Sequence, residues 1–237
     1  MSKERDIQET RAFFEGWELY QTIIARNYMF HAEVIEHEEA LLARLGKEKL
    51  SIIELGCGDA YAIGKVAKAI SVAKYHGIDI TRLALEYARK NLEGVISNVE
   101  LVEGEMFSET VGKSRIYDVA ILGYTAHHLE RNDKVILFQS LEQQLTADGL
   151  LIVYDLVREE GEAREAFLER SIQFFEASWD AFDEEKLASI RDHVSQKDYP
   201  ESWKGWESIA RKSGYEKAEL RFRDPQNIFG IMAFSKA

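Results

Sequence analysis

The chain is short of several things, and each shortage excludes a class of protein. Of its 237 residues one, Cys57, is a cysteine. No intramolecular disulfide framework can staple it, and a reducing, cytoplasmic setting is expected. Two residues are prolines and none precedes Pro200, so nothing forces a break in most of the chain. No window approaches the ~18 consecutive apolar residues of a membrane span. The charged start MSKERDIQET lacks the apolar core of a secretory signal. No histidine–cysteine cluster has the spacing of a structural zinc site, and no metal is expected. Basic residues are also scarce, with 30 Lys and Arg against 42 Asp and Glu, a net charge of -12. The excess is spread along the chain rather than gathered in a tail. It reads as solubility and suits neither a nucleic-acid nor a membrane partner. Present instead are 46% hydrophobic and 11% aromatic residues, enough for one substantial core.

Periodicity gives the organisation. Residues 6–46 read as helical. Phe13, Trp17, Tyr20, Ile24 and Tyr28 recur at steps of three or four, one apolar stripe, with a bend near Asn27 and a stop at Gly46. From Leu50 the pattern changes. LSIIELG, AKYHGIDI, VISNVELVEG, YDVAILG and DGLLIVYDL are short apolar runs, and helical stretches lie between them. Thr81 is placed to cap one of these helices. Strands alternating with helices predict a parallel sheet covered on both faces. Residues 157–197 interrupt the alternation with charged, aromatic sequence at helical spacing, read as two inserted helices. Residues 202–213 form another helix, and two closing strands flank Asp224-Pro225 as a hairpin.

The chemistry is concentrated in ELGCGDA, Glu54 to Ala60, directly after a strand and before a helix. Glycines at such a turn let a ligand approach the backbone closely. The dinucleotide fingerprint fails, because the position of its third glycine is Tyr61. No lysine-serine or lysine-threonine pair follows, which excludes a phosphate-binding loop. Asp59 would repel a pyrophosphate. An acidic turn suits a ligand with a cationic group.

ELGCGDA resembles motif I of the class I S-adenosylmethionine (SAM)-dependent methyltransferases, of the small-molecule type. GIDI, VEGEMF, YDVAILGYTAHHL and LTADGLLIVYDL resemble later motifs of that family, in order, over residues 50–156. The resemblance implies an α/β, Rossmann-like seven-stranded sheet, mostly parallel, with an antiparallel C-terminal hairpin. An N-terminal helical lid (1–49), the cofactor core (50–156), a helical insertion after strand five (157–200) and a closing segment (201–237) then make one domain. SAM is the implied cofactor and S-adenosylhomocysteine (SAH) the product. Asp79 is the expected partner of the ribose diol, which a carboxylate can hold by two hydrogen bonds. Glu105, where the family usually has Asp, is expected near the adenine amino group.

Further expectations follow residue by residue. Gly56, Gly58 and Asp59 form the cofactor turn, with Glu54 orienting it and Cys57 a small buried thiol within it. Ile80 and Met106 either sandwich the adenine or belong to the core. Gly123 and Tyr124 face the methionine moiety. His127 and His128 are candidates for a base, against a purely structural loop role. Trp17, Tyr20, Arg26, Tyr28 and His31 are either lid and acceptor residues or packing. The expected activity is in-line methyl transfer to oxygen or nitrogen of a small molecule, by a monomer or homodimer. Alternatives are a methyltransferase acting on protein or RNA, carboxyl transfer involving a modified sulfonium with Arg26 as its cation, and a non-catalytic SAM-binding protein.

Overall fold

The computed structural model describes residues 17–236. Trp17 opens the first described helix. Its side chain, Phe13 and the expected helical start at residue 6 lie outside the described residues. In chain order the elements are α1 (Trp17–Ala25), α2 (His31–Arg44), β1 (Leu50–Leu55), α3 (Tyr61–Val66), β2 (Val72–Asp79), α4 (Arg82–Leu92), β3 (Val99–Glu103), α5 (Met106–Thr110) and β4 (Tyr117–Gly123). A 3-10 turn (Ala126–His128) leads to α6 (Arg131–Gln144) and β5 (Leu145–Arg158). Then come α7 (Arg164–Ser178), α8 (Glu184–Lys197), β6 (Glu201–Ser202), α9 (Trp203–Lys212), β7 (Lys217–Arg223) and β8 (Phe229–Ser235).

The sheet order is β3-β2-β1-β4-β5-β8-β7, with the two-residue β6 added at the end of β5. Strands β1 to β5 are parallel, and β8 runs antiparallel to both β5 and β7. This is the expected mostly parallel sheet with its closing hairpin. Successive strands run outward from β1 in one direction and from β4 in the other. The carboxyl ends of β1 and β4 therefore splay apart and leave a crevice, the place where open α/β sheets take their ligands.

The central strands are apolar on both faces because both faces are covered. Ile52, Val119, Ile121 and Ile152 point into one core, shared with α2, α3, α4, α7 and α8. Their neighbours Ile53, Ala120, Leu122, Leu151 and Val153 point into the other, under α6 and α9. The strand period of two thus sends alternate residues of one run into two separate cores. In the second core Phe138 is fully buried between Trp206, Tyr215 and Phe234, with ring centroids 5.9 to 6.3 Å apart across the cluster.

The N-terminal helices depart from the single stripe read in the sequence. Helix α1 stops at Ala25, and Asn27 and Phe30 both take left-handed backbone conformations. The bend near Asn27 has a local cause. The Asn27 side chain accepts from Ala32 N at 2.9 Å and donates to Glu33 at 3.0 Å, binding the start of α2. Tyr28 consequently leaves the stripe. It stacks on Trp179 at 5.3 Å, and its hydroxyl donates to Asp180 at 2.6 Å and accepts from Ala181 N. It ties the lid segment to the α7–α8 turn. Truncating Phe138 to Ala is expected to cost about 3–5 kcal/mol in a denaturant melt, from lost burial plus a residual cavity.

Candidate functional site

The turn after β1 is built onto the end of β2. Gly56 N and Cys57 N both donate to Ile78 O, at 2.8 and 3.0 Å. Gly58 N donates to the Asp79 carboxylate at 2.9 Å. The other Asp79 oxygen accepts from Thr81 N at 2.8 Å. Gly56 and Gly58 have φ of 65° and 52°, conformations that only glycine adopts freely. A Cβ on Gly56 would also lie 2.5 Å from Thr125 Oγ1, in the loop after β4. The sequence needs glycine here because three loops converge at one point.

A cavity of about 610 Å³ opens at this crevice. Gly56, Gly58, Asp79 and Ile80 line one end, with Glu105 and Met106 beside them. Gly123, Tyr124 and Thr125 form the middle. His128, Leu129, Gln196, Lys197 and Tyr199 lie at the other end, and Tyr20 reaches in from α1. The structure thus brings together most of the expected cofactor residues, from the turn after β1, the end of β2, the start of α5 and the end of β4. Each oxygen of Asp79 keeps a second lone pair for a ligand diol. Glu105 caps α5, accepting from Phe107 N at 2.9 Å and Ser108 N at 2.8 Å. The longer side chain folds back onto its own helix while remaining at the wall.

Three motif residues lie behind the wall. Glu54 is buried and accepts from Tyr75 at 2.6 Å and Tyr154 at 3.2 Å. Burial pushes its carboxyl up to about 7, against the lowering effect of the two tyrosines. Asp59 accepts from Tyr61 N, and burial pushes it up to about 6. Cys57 is buried and its thiol is pushed well up, first by burial and then by the Asp79 and Glu54 charges. A thiol so far from its thiolate is a packing group, not a nucleophile. These carboxyls crowd together with Asp79, itself raised by burial.

The lid residues divide. Tyr20 lines the cavity, and its hydroxyl is 3.4 Å from His31 Nε2. His31 is buried against Tyr124, and burial lowers it to about 4, so it is neutral near pH 7. Tyr124 bonds to the Met29 carbonyl, closing the α1–α2 linker over β4. Arg26 is exposed and Tyr28 is committed to the α7–α8 turn, so neither lines the cavity.

The histidine pair is not presented as expected of a base. His127 is held through Nδ1 to Asp155 at 2.6 Å, and its backbone N donates to the same carboxylate at 3.1 Å. His128 reaches the wall, but both of its ring nitrogens are buried, with Nδ1 turned to Asp198 at 3.4 Å. Asp155 and Asp198, 0% and 2% exposed, were missed by sequence reasoning. Asp155 had a signal, an acidic residue closing an apolar strand run. Asp198 had none, because its place depends on how α8 returns to the sheet.

Two outcomes are expected. Gly56→Ala, forced into a left-handed conformation against Thr125, is expected to weaken SAH binding at least about tenfold by calorimetry. Glu54 binds its proton more tightly folded than unfolded, so its contribution to stability falls as pH rises from the ordinary carboxylate range through about 7. Glu54→Gln is expected to flatten that fall, read as the difference in Tm between about pH 5 and about pH 8.

Comparisons with known proteins bear on family and fold. A family model described as a methyltransferase domain matches residues 46–214. The carboxy-S-adenosyl-L-methionine synthase of Campylobacter jejuni subsp. doylei is 23% identical over 208 residues, covering 86% of each chain. The ribosomal protein L11 methyltransferase of Dictyoglomus turgidum is 28% identical over 119 residues, 50% of this chain and 37% of that one. Among solved structures, magnesium protoporphyrin IX methyltransferase from Synechocystis with bound SAH superposes with a TM-score of 0.66 at 13% identity, over 97% of this chain and 99% of that one. With most of its length matched by the family model, the chain belongs to the class I SAM-dependent methyltransferases.

Proposed function

We propose that SAM occupies the glycine-turn end of the cavity and that a small-molecule acceptor occupies the end bounded by His128 and Tyr199. The observation that carries this reading is the continuity of the two ends in one cavity of about 610 Å³. That size is typical of a site enclosing a compact ligand. Asp79 holds the ribose diol. Ile80 and Met106 flank the adenine, and Glu105 lies at its edge. The buried carboxyls Glu54 and Asp59 sit behind the turn and favour a ligand carrying a sulfonium and an ammonium group.

The reaction asks little of the protein beyond alignment. The acceptor lone pair forms a bond to the methyl carbon as the carbon–sulfur bond breaks, and its electrons return to sulfur. The leaving group is neutral SAH, and a hydroxyl or amine acceptor releases its proton to solvent once the methyl group is transferred. Holding donor and acceptor in line, with water excluded by Tyr20 and the lid, supplies most of the acceleration. Neither histidine is assigned the removal of a proton, since His127 is committed to Asp155 and the His128 nitrogens are buried.

A second reading, transfer of a carboxyl group onto the cofactor, has one observation in its favour. The likeness to carboxy-S-adenosyl-L-methionine synthase runs over 86% of both chains. Arg26, the cation the sequence offered for that chemistry, is exposed and away from the wall. Among the described lining residues Lys197 is the one Lys or Arg.

Calorimetry is expected to show stoichiometric binding of SAM and SAH, weakened at least about tenfold in Asp79→Ala, which loses the diol hydrogen bonds. Mass spectrometry of a small-molecule screen separates the readings. Methyl transfer yields SAH and a methylated acceptor, whereas the second reading yields a carboxylated cofactor. Normal SAM affinity in Asp79→Ala would overturn the placement.

A further inference from the structure

We propose that His127, His128 and Asp198 form a binding site for a divalent transition-metal ion of the zinc class, set in the wall of the acceptor end of the cavity. This assignment reverses the expectation of a metal-free chain and goes beyond the methyl-transfer reading; the ion site stands without that reading, and only its role toward the acceptor rests on it.

The donor atoms are gathered from two elements distant in sequence. His127 and His128 stand on the 3-10 turn after β4, and Asp198 caps the end of α8. One ligand atom from each lies within 4.8 Å of the others. His127 Nε2 is 3.7 Å and His128 Nδ1 3.4 Å from Asp198 Oδ1. Asp198 is almost wholly buried, yet Oδ1 has no aligned hydrogen bond among the described residues. These separations are long for hydrogen bonds but natural across an ion. Bonds of about 2.0–2.2 Å at near-tetrahedral angles hold neighbouring ligand atoms about 3.3–3.6 Å apart.

The surroundings have the form that metal-ligating histidines require. Asp155 engages His127 Nδ1 at 2.6 Å, which fixes the ring and leaves Nε2 as the atom turned toward Asp198. Tyr199 N donates to the His127 carbonyl at 2.7 Å, tying the two ligand segments together. Arg164 Nε donates to the Asp198 carbonyl at 2.7 Å, and Lys134 bonds to the Tyr199 carbonyl. His193 packs edge-on against the His128 ring at 5.3 Å. These contacts hold the three side chains close to one another without an ion.

Charge and donor type point to the same class of ion. Asp155 and Asp198 put two carboxylates into the interior, and a divalent cation balances both. Two imidazoles and one carboxylate favour zinc-like ions over calcium or magnesium, which prefer all-oxygen shells. Such an ion would lock the turn after β4, the end of β5 and the end of α8 together. Its role is to fix the shape of the wall that His128 and Tyr199 give to the acceptor.

The test uses the untagged full-length chain, stripped with chelator and titrated with Zn²⁺ and with Co²⁺. About one equivalent is expected to bind and to raise Tm. The Co²⁺ form is expected to show visible ligand-field bands without a thiolate charge-transfer band, since the single cysteine, Cys57, lies in the motif turn. Asp198→Asn and His128→Ala are expected to weaken binding about 10–100-fold while far-UV circular dichroism is unchanged. The cobalt spectrum of the unaltered chain decides the matter even where a variant does not fold. Absence of a stoichiometric ion, a thiolate band, or variants that bind as tightly as the parent would overturn the assignment.

Discussion

The site depends on one junction, the pinning of the glycine turn after β1 to the end of β2. Gly56 and Cys57 donate to the Ile78 carbonyl, and the Asp79 carboxylate holds Gly58 on one oxygen and Thr81 on the other. One side chain thereby shapes the turn and starts the loop into α4, and each oxygen keeps a lone pair for a ligand. Such double use explains why the turn is acidic as well as glycine-rich. A phosphate-binding turn must expose its N–H groups to the ligand. Here the Gly58 N–H is already bonded to Asp79, so the carboxylate itself is the surface offered, and it suits hydroxyls and cations.

A second constraint sits behind the first. Glu54, Asp59 and Asp79 are crowded together, each raised by desolvation; neighbouring carboxylates raise Glu54 and Asp59 further, whereas the Gly58 and Thr81 hydrogen bonds hold Asp79 down. Tyr75 and Tyr154 partly compensate Glu54. Keeping acidic groups in poor solvent lowers stability near neutral pH. It also leaves a negative field that a cationic ligand relieves. The net charge of -12 thus has two components, a dispersed surface excess and a small buried group behind the glycine turn.

Much of this was legible in the residues, and the limits have physical causes. Short apolar runs separated by helical spacing give the five parallel strands, because alternate residues of each run feed cores on opposite faces. The closing hairpin was legible from the strands either side of Asp224-Pro225. The residues proposed to hold the cofactor were legible as candidates because they belong to a local turn and to strand ends, both recorded in contiguous sequence. The lid was less so. Helical spacing carried the stripe through Tyr28, but α1 stops at Ala25, the Asn27 side chain binds the start of α2, and Tyr28 turns to Trp179 and Asp180. Asp198 was invisible, since its meeting with His127 and His128 is a tertiary event with no local pattern. The end of the cavity proposed for the acceptor, built from the 3-10 turn and the return of α8, belongs to that same non-local class.

Where the cofactor lies decides the rest. A crystal structure of the chain with SAH is predicted to show the ribose hydroxyls on the Asp79 carboxylate, the adenine between Ile80 and Met106, and the sulfur facing the His128–Tyr199 end. Density for SAH elsewhere, or a ribose with no contact to Asp79, would contradict it.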